Sequence, residues 1–123
     1  MNASKQKPVL FIGVSEQVAS MANCKAHNLY PEYIHSEDEL KDHLGAGLQQ
    51  FDAIAVEGKV ADGVNNSIGS HVVPQIKQQN YSGELIAVTC CNDEWERMYG
   101  SGFKHRASPC AGEVVPIIAN VIK

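Results

Sequence analysis

Apolar residues gather in five short runs along this chain, separated by stretches with helical spacing and by turn residues. The runs are residues 9–13 (VLFIG), 31–35 (PEYIH), 52–57 (DAIAVE), 84–89 (ELIAVT) and 103–107 (FKHRA). Each is of strand length. The second is less apolar and reads as nearer an edge, and the fifth is polar.

The segments between them read as helices. Ser15 is placed to cap the first, with Val18, Met21, Ala22 and the stem of Lys25 on its inner face and Asn28 as its stop. Ser36-Glu37-Asp38-Glu39 has the form of a capping box, a hydroxyl followed three positions on by a carboxylate. The helix it opens turns Leu40, His43 and Leu44 inward and ends at Gly45-Ala46-Gly47. After a loop rich in Gly and Asn (Gly63, Asn65, Asn66), Ser67 or Ser70 is placed to cap a third helix carrying Val72, Val73 and Ile76. Pro74 suits its first turn. Tyr81-Ser82-Gly83 is a turn. Asn92 or Asp93 caps a short helix through Met98, closed by Gly100-Ser101-Gly102. Ser108-Pro109 ends the fifth strand. The last helix spans 112–122, with Val114, Val115, Ile118 and Val121 or Ile122 on its apolar face and Pro116 early in it.

Crossovers of this length require parallel strands and right-handed connections. The fold class is therefore α/β, a three-layer α/β/α sandwich. Its five-stranded parallel sheet is expected in the flavodoxin-like order 2-1-3-4-5. The expected division is a flexible N-terminal segment, 1–7, and a single domain, 8–123.

Composition narrows the possible functions. The 123 residues suit one core, and 44% hydrophobic with 20% charged is ordinary for a globular chain. The net charge is −4 with no basic run, which argues against nucleic acid as a partner. The first eight residues are polar and lack the apolar core of a signal peptide, and no run approaches the roughly 20 residues of a membrane helix. No membrane partner and a cytoplasmic location are the expectation. Cys24, Cys90, Cys91 and Cys110 have no C-x-x-C spacing and read as small hydrophobes in or near the core. Cys24 and His27 offer two ligands on one helical face, short of the four a structural zinc needs, so no metal is expected.

The run FDAIAVEG ends on a single carboxylate, Glu57, followed by Gly58. A buried parallel strand delivers its last side chain to the carboxyl edge, where ligands usually sit. With that placement, the element order and the length of 123 residues, the chain resembles the receiver domain of two-component response regulators from about Pro8 to Lys123. The resemblance puts Glu57 at the phosphoacceptor aspartate and Thr89 at the hydroxyl that contacts the phosphoryl group. It puts His105 at the switch side chain and Ser108-Pro109 at the lysine and proline after strand five. Gly13 and Val14 fall where an acidic pair would hold magnesium, with only Glu16 nearby.

These departures imply a degenerate pseudo-receiver. Phosphoryl transfer needs carboxylates to hold a divalent cation, which Gly13 and Val14 cannot supply. It needs a cation to stabilise developing charge, which Ser108 lacks. Glu57 carries its carboxylate one methylene further out, a misplacement of about 1 Å or more that costs catalysis heavily. Each residue also has a plainer reading. Glu57 fits a solvated strand-end carboxylate or a mimic of a charged state, Thr89 a hydroxyl capping the next turn, and His105 a surface histidine.

The reading is thus a non-enzymatic signalling or scaffolding module with no cofactor. It would act on a protein partner or as a homodimer through helix 4, strand 5 and helix 5. Trp95 and Tyr99 share a helical face, and Lys104, His105 and Arg106 follow closely. Aromatic anchors beside a cationic rim suit a protein interface. Two alternatives stand beside it. One is a small flavodoxin-like enzyme or phosphocarrier using Cys90 or Cys91, which lie just before a helix N-terminus. The other is a small-ligand binder at the carboxyl edge, for which the first loop, GVSEQVAS, is poor in phosphate-holding hydroxyls.

Overall fold

The computed structural model describes residues 6–59, 69–110 and 112–122. Its elements run β1 (Lys7–Ile12), α1 (Met21–Ala26), β2 (Leu29–Ile34), α2 (Glu37–Ala46), β3 (Ala53–Glu57), α3 (Gly69–Gln78), β4 (Glu84–Val88), α4 (Asn92–Gly100), β5 (His105–Ala107) and α5 (Val114–Val121). The strands form one sheet in the order β2-β1-β3-β4-β5. Every neighbouring pair is parallel, with Phe11 beside both Tyr33 and Ala55, and Val56 beside Ala87. The expected three-layer sandwich and strand order are both present.

Alternation along the strands explains the two layers of helices. Leu10, Ile12, Ile54, Val56 and Ala87 face one side and pack with Leu40 of α2, Val72 and Ile76 of α3, and Met98 of α4. Val9, Phe11, Ala53, Ala55, Ile86 and Val88 face the other and pack with Cys24 of α1 and Val114, Val115 and Ile118 of α5. Strands sealed on both faces are why the sequence shows continuous apolar runs rather than alternation. No helix among the described residues is long and apolar enough to cross a membrane.

Several local expectations need correcting. Ser15 does not cap α1. It opens a single turn, accepting the Val18 and Ala19 amides on its carbonyl, both at 3.0 Å, and the Gln17 amide on its hydroxyl. Ser20 is the cap, taking the Asn23 amide at 3.1 Å. That shift turns Met21 outward, 46% exposed, leaves Ala22 and Lys25 exposed too, and seals Ala19 and Cys24 inside. Asn28 does end the helix, in the left-handed region at φ 64°. The capping box forms, with the Ser36 hydroxyl taking the Glu39 amide; Glu39 reaches back to the His35 amide.

Pro74 lies inside α3 rather than in its first turn. Ser67, like Gly63, Asn65 and Asn66, lies outside the described residues, and Ser70 falls within the helix. Cys91, not Asn92 or Asp93, occupies the N-cap of α4, which runs on to Gly100. β5 is only three residues long; Phe103 precedes it and turns into the core. Of the cysteines only Cys24 is buried, and Cys90, Cys91 and Cys110 are exposed, contrary to the core expectation. Residues 1–5 lie outside the described residues, and Lys7 already belongs to β1, where its ammonium donates to the Ile122 carbonyl.

Candidate functional site

β3 carries Glu57 to the carboxyl edge of the sheet as its last residue, half-buried. Both carboxylate oxygens accept the Lys59 amide, at 2.9 and 3.0 Å. Gly58 follows and is buried. A Cβ there would stand 2.4 Å from Glu94 Oε1 and 3.1 Å from Thr89 Cβ. A side chain at this position would have to displace the Glu94 carboxylate.

Glu94 occupies this space because α4 starts nearby and places it in the first turn, where the helix dipole favours a carboxylate. The Thr89 hydroxyl, on a residue 3% exposed, donates to Glu94 Oε1 at 2.6 Å. It also accepts the Cys91 amide at 3.0 Å. A hydroxyl has one proton to donate, and here Glu94 takes it. The bond is of charge-assisted length.

The other positions that the receiver resemblance singled out lie in the turns after β1 and β5. Gly13 adopts φ 74° and donates its amide to the Ile34 carbonyl at 2.9 Å. Val14 is buried among apolar residues and Glu16 is exposed. Ser108 donates its amide to Glu113 Oε2 at 2.9 Å, and its hydroxyl takes the Cys110 amide at 3.3 Å. Among the described residues, no three His, Cys, Asp or Glu side chains gather where they could hold a metal ion.

The predicted aromatic and cationic cluster divides in two. Trp95 and Tyr99 meet at 5.5 Å between ring centroids. Trp95 packs partly into the core, whereas Tyr99 is 63% exposed. The Arg106 guanidinium lies 6.0 Å from the Trp95 ring centre, within cation–π range. Its Nε donates to the Thr89 carbonyl at 3.2 Å and its Nη1 to Asn92 Oδ1 at 3.0 Å. Arg106 therefore joins the Thr89 site to the aromatic pair.

His105 and Lys104 stand apart from that pair. His105 alternates with Arg106 and so turns to the opposite face of the sheet, where its Nε2 meets Glu84 Oε1 at 2.8 Å. Lys104 lines a shallow groove at the amino edge with Tyr81, Gly83, Glu84 and Gly102.

Sequence reading missed Glu94, the packing of Gly58 against it and the carbonyl-binding role of Arg106. The one usable signal was the acidic pair Asp93-Glu94 opening a helix just after Thr89.

No protein-family model matches the chain, and no curated protein matches it. Solved structures do. A bacteriophytochrome response regulator superposes with a TM-score of 0.66 at 14% identity, over 94% of this chain and 78% of the other. A Burkholderia pseudomallei protein described as pilus assembly-related superposes with a TM-score of 0.59 at 8% identity, over 100% of this chain and 96% of the other. With the strand order and helix layers above, this chain has the receiver-like fold of response regulators.

Proposed function

We propose that the chain is a non-enzymatic, receiver-like signalling or scaffolding module that works by protein–protein contact, not by phosphoryl transfer. Arg106 carries this reading. One side chain is bonded to the carbonyl of Thr89, whose hydroxyl Glu94 already holds, and lies against Trp95 beside exposed Tyr99. The position that would sense a phosphoryl group is thus closed by the chain's own carboxylate. The surface it connects to presents aromatic and guanidinium groups, the types that dominate interface energetics. The lack of an acidic pair at Gly13 and Val14 and of a cation at Ser108 supports the same reading.

The occupant of this α4–β5 face, with α5 beside it, is an acidic protein surface or a second copy of the chain. The test compares wild type with Tyr99→Ala and Arg106→Glu in sedimentation and in partner capture. Tyr99 is the cleaner probe because Trp95 also supports the core. Each variant should weaken association at least tenfold, the scale of a hot-spot side chain at about 2 kcal/mol. Unchanged association in both, with loss in Glu57→Ala, would move the binding site to the pocket around Glu57.

A further inference from the structure

The backbone of Arg106 sits in β5 beside Ala87, yet its side chain reaches the segment after β4 and the start of α4. Nε donates to the Thr89 carbonyl at 3.2 Å and Nη1 to Asn92 Oδ1 at 3.0 Å. The guanidinium carbon stands 6.0 Å from the Trp95 ring centre. Contacts with a strand end, a helix start and a ring fix where the group sits, so little freedom remains to be lost when it binds. Both acceptors are uncharged, one a backbone carbonyl and the other a carboxamide. Neither neutralises the guanidinium, which stays charged at any ordinary pH. Nη2 enters neither bond, and Nη1 has a second hydrogen. Those nitrogens form the end of the fork that matches a carboxylate. Asn92 is exposed and is the first residue of α4, a place where the helix dipole would favour a carboxylate. An aspartate there would hold Arg106 by an ion pair and would spend its charge in doing so.

We infer that Asn92 is the positioning residue of a carboxylate site whose binding group is Arg106. Asn92 aims the fork and leaves it charged. The open donors take a single Asp or Glu side chain on a segment of a partner protein. The surroundings narrow that segment further. Exposed Tyr99 stands beside Trp95, at 5.5 Å between ring centroids, and offers an apolar ring to whatever flanks the carboxylate. Asp93 and Glu96 are exposed on the same helix, Glu96 one turn beyond Asn92, and their charge disfavours a run of acidic residues. The ligand is therefore one carboxylate between apolar residues, not a polyanion. The net charge of −4 with no basic run fits that choice.

The partner role of this site rests on the partner-face reading above; binding of a carboxylate does not. The test titrates the full chain with a blocked peptide carrying one central glutamate between leucines, and with its glutamine counterpart. The Arg106 Nε–H and Trp95 indole N–H signals are followed by NMR. Wild type should show saturable shifts with the glutamate peptide and none with the glutamine one. Asn92→Ala keeps the charge of Arg106 and loses its aim, whereas Asn92→Asp keeps the aim and spends the charge. Each should weaken binding about tenfold, with circular dichroism unchanged. Added salt should weaken binding to wild type and Asn92→Ala and hardly affect Asn92→Asp, a split that a merely structural Asn92 would not produce. Arg106→Lys, a charge without the fork, should behave as Asn92→Ala. Absent shifts in wild type, equal shifts with the glutamine peptide, or wild-type binding in both Asn92 variants overturns the inference. Shifts of the same signals with chain concentration alone would assign the carboxylate to a second copy and overturn the partner segment. Peptide binding at Arg106 with association untouched by Tyr99→Ala and Arg106→Glu upholds the site and counts only against the partner-face reading.

Discussion

The Thr89 hydroxyl donates to the Glu94 carboxylate at 2.6 Å, directly over the backbone of Gly58. Strand end, helix start and glycine are interdependent there. Gly58→Ala should therefore push Glu94 away and crowd Thr89. The cost should be about 1–3 kcal/mol in urea denaturation, the usual range for overpacking. In a Glu94→Ala background the same change should cost clearly less, because the 2.4 Å clash with Oε1 is gone. Equal costs in both backgrounds would show that Glu94 does not cover Gly58.

The same closure predicts inertness to phosphodonors. Incubation with acetyl phosphate and magnesium should leave the mass unchanged, and beryllium fluoride should leave the amide signals of Gly58, Lys59 and Thr89 in place. Addition of one phosphoryl group per chain would refute the pseudo-receiver reading.

His43 sets a pH dependence near neutrality. Its Nδ1 donates to the Glu39 carbonyl at 2.9 Å and its Nε2 meets Glu32 Oε1 at 3.3 Å. Burial works to lower its pKa, but the Glu39 carbonyl and the Glu32 carboxylate outweigh it and leave the pKa raised. A raised folded value means the stabilisation is fully present below the unfolded value of about 6.5 and is lost as pH rises through the folded value. The urea midpoint should fall across that window in wild type. His43→Gln should flatten this part of the profile, and an unaltered slope would assign it to another group.

The α2 capping box predicts an acid limb. The His35 amide holds the Glu39 carboxyl below its ordinary pKa against a small opposing effect of burial, and the Ser36 hydroxyl adds to this. A depressed folded value gives stability that is present above the unfolded value of about 4.3 and is lost as pH falls through the folded one. Glu39→Gln should remove that limb, read by circular dichroism during acid titration. Ser36→Ala should cost about 1 kcal/mol at neutral pH, the usual loss for an N-cap hydroxyl. A neutral Ser36→Ala would show that the cap contributes nothing.

What the sequence determined by itself was whatever depends on near neighbours or on burial on both faces. Apolar runs such as Val9–Ile12 and Ala53–Val56 announce strands covered on two sides, and helix-length crossovers then require a parallel sheet. Ser36 and Glu39 are three residues apart, so their box is legible without a fold. The α1 start was not, because Ser15 and Ser20 carry the same hydroxyl. Packing against β1 and β2 decides which of them begins the helix. The site lay further out of reach. Glu57 and Thr89 could be placed at strand ends, but Glu94 over Gly58 and Arg106 on Thr89 are meetings between different elements. Those contacts exist only because β3, β4 and β5 lie side by side and end at one edge. Neighbour spacing along the chain holds no record of that adjacency; the close packing of the sheet creates it.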